Sequence, residues 1–216
     1  MLIFWPQRLI YLAVPKTGST AIESVLRPYA DVAFNNPPRL KHAKAGTMRK
    51  FKKLFSPHNP AEFEQVAVMR DPLEWLGSWY RYRSRPVLNG TTNSTANLTF
   101  EEFVEAVICN DPPPFAHIGS QFRFLCADKE APVADRIYPY TRVNEVFTYF
   151  EERLGIPVNA PKKANKSIAE PLSLPPTTLR RLLDAREAEF ALYDQVESGL
   201  LCEGPPGLRP GTPQFD

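Results

Sequence analysis

A lysine, a glycine and three hydroxyls stand together in Pro15-Lys16-Thr17-Gly18-Ser19-Thr20. Residues of these types bind anions, because the lysine supplies a full charge while hydroxyls and backbone amides donate hydrogen bonds. A second set is Arg70-Asp71-Pro72 with Ser78, a guanidinium fork and another hydroxyl donor. Between the two runs Arg39 to Lys53, which holds Arg39, Lys41, Lys44, Arg49, Lys50, Lys52 and Lys53 and no acid. His42 sits inside that run, a group able to exchange a proton near neutral pH. Such residues suit a ligand that carries more than one anionic group.

Hydrophobic spacing shows which elements must position them. Leu9 to Val14 is an apolar run that reads as a buried strand. Ile22, Val25, Leu26 and Tyr29 then recur at helical spacing, so a helix opens at about Ser19 and stops near Pro28. Its N-terminus offers unpaired N–H groups and a positive dipole end beside Lys16. Phe63 to Met69 ends in a second apolar run, a strand of the buried parallel type that delivers Arg70. Asp71 suits an N-cap, Pro72 the first helical position and Glu74 the capping-box place. The helix they start carries Leu73, Leu76, Trp79 and Tyr80 on its apolar side and ends near Arg85-Pro86. Arg70 therefore stands at the carboxyl end of a strand, where ligands bind in open α/β sheets, and Ser78 lies about two turns along the helix.

The remaining chain supplies flanking elements. Asp31 to Asn36 reads as a short strand, and Met48, Phe51, Leu54 and Phe55 have the spacing of an amphipathic helix with a basic face. Pro86 to Asn97 is polar and aperiodic, an excursion or flap. Thr99 and Glu102 form a capping box before a helix with Phe100, Phe103, Val104, Val107 and Ile108. Phe122, Leu125 and Cys126 suggest a short helix, Arg136 to Tyr140, with its proline, an edge or irregular strand, and Val143 to Leu154 a further helix. Pro161 to Pro176 reads as loop, and a last helix pair covers about Pro176 to Val196. The order predicts an α/β fold: one P-loop-like domain over 1–200, a central parallel sheet of about four to five strands flanked by helices, and a helical C-terminal part. Residues 203–216, rich in Pro and Gly, read as a disordered tail.

Composition bounds the function. The 216 residues suit one domain, and 43% apolar with 12% aromatic content fits a globular protein. A net charge of +2 argues against a general nucleic-acid binder, so basic function must be local. Cys109, Cys126 and Cys202 are far apart and form no CxxC pair, which indicates neither a zinc site nor a disulfide framework. With no visible signal peptide and no apolar run approaching the roughly 20 residues of a membrane span, the expectation is a cytoplasmic chain with no membrane span. His58, in Ser-Pro-His-Asn-Pro, reads as a turn residue.

The predicted topology brings the carboxyl ends of the two apolar strands together, so both anion devices face one cleft. Two separated devices imply two separated anionic groups. A triphosphate sets its phosphates in one row, whereas a 3′,5′-substituted nucleotide holds them on opposite sides of the ribose.

Pro15 to Thr20 resembles the 5′-phosphosulfate loop of the sulfotransferases, and Arg70-Asp71-Pro72 with Ser78, followed by Trp79-Tyr80, resembles their 3′-phosphate motif. The likeness is nearest to the carbohydrate type, the heparan and uronyl O-sulfotransferases, whose loop reads Pro-Lys-Thr-small-Ser-Thr. Weaker echoes occur in His117 to Leu125, in Arg136 to Ile156 and in Asn165-Lys166-Ser167. The resemblance implies transfer of a sulfuryl group from 3′-phosphoadenosine 5′-phosphosulfate (PAPS) to an acceptor hydroxyl of a saccharide, with PAP as product and no metal. It implies that Lys16 neutralises the leaving phosphate oxygen, that the amides of Thr17, Gly18, Ser19 and Thr20 hold the 5′-phosphate, and that Arg70 and Ser78 hold the 3′-phosphate. His42 falls between the two motifs, as the histidine base of the uronyl relatives does, amid Lys41 and Lys44, which suit an acidic sugar. His117 is the reserve base, and Gln121 shares its acceptor-contacting stretch; Glu74 is a third choice. Two other classes compete. A P-loop kinase or hydrolase would need GxxxxGK[ST], whereas here the lysine precedes the glycine. A non-catalytic module would bind a nucleotide or glycan through the Arg39–Lys53 face.

Overall fold

The structure is a computed structural model that describes residues 1–126, 134–158 and 172–203. The Asn165-Lys166-Ser167 echo, and the expected tail from residue 204 on, lie outside the described residues.

Five strands form one sheet in the order β3-β1-β2-β4-β5. β2 (Leu9–Leu12), β4 (Glu64–Met69) and β5 (Arg136–Pro139) run parallel, Leu12 standing opposite Ala67 and Ala67 opposite Ile137. β1 (Leu2–Phe4) and β3 (Val32–Ala33) add an antiparallel edge, so the sheet is mixed around a parallel core. β1 is the strand that sequence periodicity misses: three residues before a Trp5-to-Arg8 turn are too few to show a period, yet all three are buried.

Both faces of the sheet are covered, which is why β2 and β4 read as continuous apolar runs rather than alternating ones. Ile10, Leu12, Ala67 and Met69 face one core layer with Met48, Phe55, Phe63, Leu125 and Leu192. Leu9, Tyr11, Val66 and Val68 face the other, against Ile22 and Leu26 of α1 (Ser19–Leu26) and Val146 and Phe150 of the Asn144–Leu154 helix. At the amino end of β4 the buried Glu64 carboxylate accepts from Tyr149 at 2.5 Å, from Arg136 at 3.0 Å and from Arg153. Burial pushes the Glu64 carboxyl up, but these donors outweigh it and hold the group below the usual carboxylate range.

Two local expectations change. The Met48–Phe55 stretch is not one amphipathic helix: after α2 (Pro38–Lys41) it is divided into a 3-10 turn at Thr47–Lys50 and α3 (Lys52–Phe55), with Gly46 in the left-handed region at φ 73°. Met48 and Phe55 are buried while Phe51 and Leu54 face solvent, so the helical spacing is not realised. The polar stretch after α4 (Pro72–Arg83) is not a free excursion either. Thr95 is wholly buried, its hydroxyl donating to the Tyr80 carbonyl at 2.8 Å and its amide to the Arg83 carbonyl at 3.1 Å.

Beyond the carboxyl edge of the sheet, α4 and α5 (Phe100–Ile108) meet α8 (Pro176–Ala185) in a third cluster built on Trp75, Leu76, Phe103, Val104 and Leu182. α6 (Gln121–Cys126) precedes β5, α7 is the Asn144–Leu154 helix, and α9 (Glu187–Glu197) closes the described chain near β5.

Candidate functional site

The turn between β2 and α1 is held from three sides. The buried Thr17 hydroxyl donates to the Val14 carbonyl at 2.9 Å, tying the turn to the strand end. From α4 the Trp75 indole N–H donates to the Pro15 carbonyl at 2.8 Å. Gly18 sits at φ 72°, and a Cβ there would meet Tyr140 Cε2 at 3.0 Å. Lys16 itself adopts φ 67°, a left-handed conformation that costs a lysine on the order of 1 kcal/mol and persists only where its surroundings over-determine it. The result is that α1 begins with its amino end open: no side chain caps it and its first turn holds no acid. The first amides of a helix lack intrahelical partners, and here they adjoin the Lys16 turn.

The Lys16 ammonium lies 3.4 Å from the centroid of the Tyr82 ring and 5.2 Å from that of Trp79. No carboxylate pairs with it among the described residues. Burial, together with the charges of Arg85, Arg70 and Arg83, lowers its pKa to about 8. Among the described residues this cluster of one lysine and three arginines meets one carboxylate, Glu74 against Arg70, and its excess positive charge favours an anion.

Arg70 follows β4 directly, beside the end of β2 in the sheet. Gln121 holds its backbone in a reciprocal pair, accepting from the Arg70 amide at 2.9 Å and donating to the Arg70 carbonyl at 2.8 Å. The guanidinium lies 5.0 Å from the Tyr140 ring centroid, so one tyrosine touches both the glycine of the first turn and the arginine of the second. Asp71 caps α4 by accepting from the Glu74 amide at 2.8 Å. Glu74 does not complete a capping box: its half-exposed carboxylate reaches Arg70 at 3.0 Å and Arg81 at 4.0 Å. Ser78 is partly exposed one turn beyond Glu74, with no hydrogen-bond partner among the described residues.

His42 is brought to the same edge. Its Nδ1 is 2.7 Å from the carbonyl of Ala13, one residue past β2. A carbonyl can only accept, so Nδ1 carries the proton and Nε2 keeps its lone pair. Burial lowers the His42 pKa, only partly opposed by that hydrogen bond, and keeps the ring neutral.

The other expected residues fall differently. Lys41 turns to the buried Glu23 of α1, 3.4 Å away, and so anchors α2 rather than reaching for an acceptor. Lys44 is exposed. Gln121 is fully buried with its amide spent on Arg70, and its own N–H donates to Glu189 at 2.8 Å; it positions the arginine and leaves no group for an acceptor. His117 lines a separate groove of about 830 Å³ with Ser120, Arg123, Asp184 and Arg186. Trp75, Tyr82 and Tyr140 were not visible as site residues. Their sequence signal is only aromatics in the helix after β4 and directly after β5, which core packing explains equally well.

The family model described as the sulfotransferase family matches residues 1–196. The chain belongs to that family. It is a sulfotransferase, an enzyme of sulfuryl transfer, on an α/β domain whose mixed five-stranded sheet is flanked by helices. Comparison with curated proteins and with solved structures returned no match. No three His, Cys, Asp or Glu side chains converge as a metal site among the described residues.

Proposed function

We propose that this sulfotransferase uses PAPS as donor and a saccharide hydroxyl as acceptor. The observation that carries the donor is the pairing of two anion devices on neighbouring parallel strands: the Lys16 turn with the open end of α1 after β2, and Arg70 with Ser78 after β4. A donor with a 5′-phosphosulfate and a 3′-phosphate matches two sites joined through Tyr140, and the excess of cations around Lys16 fits its charge.

In this reading Lys16 stabilises the charge that develops on the leaving phosphate oxygen, and the amides from Thr17 to Thr20 hold the 5′-phosphate. The Thr17 side chain stays with the Val14 carbonyl, so its part is through the backbone alone. Arg70 and Ser78 take the 3′-phosphate, for which Arg70 exchanges its Glu74 contact. His42 removes the acceptor proton through Nε2, while the Ala13 carbonyl fixes the ring and the tautomer. A saccharide acceptor is supported by the likeness of the Pro-Lys-Thr-Gly-Ser-Thr loop to the carbohydrate type.

Thermal unfolding in the presence of PAP tests the donor. At about 100 times its Kd, PAP adds roughly 2.7 kcal/mol of stability, a shift of several degrees. Stabilisation by ATP with Mg²⁺ and not by PAP overturns the reading. Transfer of labelled sulfate from PAPS across a panel of saccharides and simple alcohols tests the acceptor, and transfer confined to the alcohols would remove the saccharide.

A further inference from the structure

The basic segment divides into two parts. Lys41 and His42 belong to the carboxyl edge of the sheet, whereas Lys50 to Leu54 lie elsewhere. Phe55, wholly buried, stacks on Trp5 at 5.3 Å and meets Phe63 edge-on at 4.7 Å. Trp5 leads into β2 and Phe63 immediately precedes β4, so this anchor stands at the amino edge. That is the edge opposite Lys16 and Arg70, a strand length of roughly 15–20 Å away.

The anchor holds five consecutive exposed residues, Lys50-Phe51-Lys52-Lys53-Leu54. Phe51 and Leu54 each expose 44% of their surface, unusual for large apolar side chains three residues apart. The three lysines have no acidic partner among the described residues. The nearby acid, Glu62, is already engaged by Arg8 at 3.2 Å and by His58 at 3.8 Å. Cations alone would suit any polyanion. Two apolar side chains between them suit a surface with anionic headgroups over an apolar interior, where phenylalanine and leucine enter the boundary and lysines stay at headgroup level.

We propose that Lys50 to Leu54 docks this enzyme on anionic lipid bilayers. The docking surface is separate from the transfer site and does not depend on the donor or acceptor assigned above.

The test is cosedimentation of the whole chain with phosphatidylcholine vesicles, with and without phosphatidylserine. Binding is expected to the anionic vesicles only, to weaken as salt is raised, and to drop at least about tenfold in Phe51→Ser/Leu54→Ser and in Lys52→Glu/Lys53→Glu. All four side chains are exposed, so both variants should keep the parent's melting midpoint and its turnover on a soluble acceptor. No binding to anionic vesicles overturns the proposal, as does binding that Phe51→Ser/Leu54→Ser leaves unchanged. Equal capture by a soluble anionic polysaccharide, insensitive to that apolar variant, reassigns the patch to polyanions.

Discussion

The Lys16 ammonium stands 3.4 Å from the centroid of the Tyr82 ring, with no carboxylate paired to it among the described residues. A cation so placed is partly dehydrated and repelled by Arg85, Arg70 and Arg83, which brings its pKa down to about 8. Below that pH it is charged and can attract an anion; above it the charge is lost. PAP affinity should therefore be level near neutrality and fall as pH rises through about 8, by up to about tenfold per unit, and PAP binding should take up protons. Titration calorimetry in buffers of different ionisation enthalpy measures both. Lys16→Met should abolish transfer, flatten this profile and raise the melting midpoint of the ligand-free protein by a few degrees, because the crowded charge disfavours the folded state.

Gln121 makes a distinct prediction. Its side chain closes on the amide and carbonyl of Arg70, two backbone groups with no neighbouring strand at that point. Gln121→Leu leaves both without partners, at about 1–3 kcal/mol each, and should lower the melting midpoint by several degrees. It should also weaken PAP by about tenfold through a displaced Arg70. An acceptor-contacting residue would instead change only the acceptor KM. Thermal unfolding and PAP titration of the same variant distinguish the two.

His42→Ala should leave PAP affinity unchanged and cut turnover by roughly 10²–10⁴-fold. Because burial lowers the His42 pKa, the acidic limb of kcat/KM for the acceptor should lie below the ordinary histidine value of about 6.5. Activity is lost as pH falls through that lowered value, when Nε2 takes a proton. An acidic limb that persists in His42→Ala removes it as the base.

Gly18→Ala tests the contact between the two anion devices. The backbone there is left-handed at φ 72°, and the new methyl would stand 3.0 Å from Tyr140. Strain of about 1–2 kcal/mol should lower stability, and the displaced tyrosine should withdraw its ring from Arg70. PAP affinity should fall, while Tyr140→Phe, which keeps the ring, should preserve it.

Much of this fold is local and therefore legible in the chain. The apolar run of β2, the helical spacing after it and the lone glycine between them predict a strand, a turn and a helix, and these occur. The Asp71-Pro72 start of α4 is equally local, since a cap and the residues it caps lie within one turn. The α/β architecture follows from the order of such units. What escaped is non-local or too short. β1 has three residues, and its burial depends on the partner strand β2. The break of the 39–55 segment depends on Phe55 finding Trp5 and Phe63.

The candidate site divides along the same line. Lysine, glycine and hydroxyls in one turn, and arginine at a strand end, are residue types whose affinity for anions does not depend on the rest of the chain. The amino-acid sequence by itself determined that chemistry and, through the family pattern, the sulfotransferase class. Only the tertiary structure decided which neighbours share in it. Lys41 is drawn off by Glu23, and Gln121 by a backbone 51 residues away. His42 gains a fixed tautomer from the Ala13 carbonyl, and Lys16 its lowered pKa from burial and three arginines. Charge and hydrogen-bonding capacity belong to a residue; desolvation and partners belong to the packed chain, and these set the proton positions on which transfer depends.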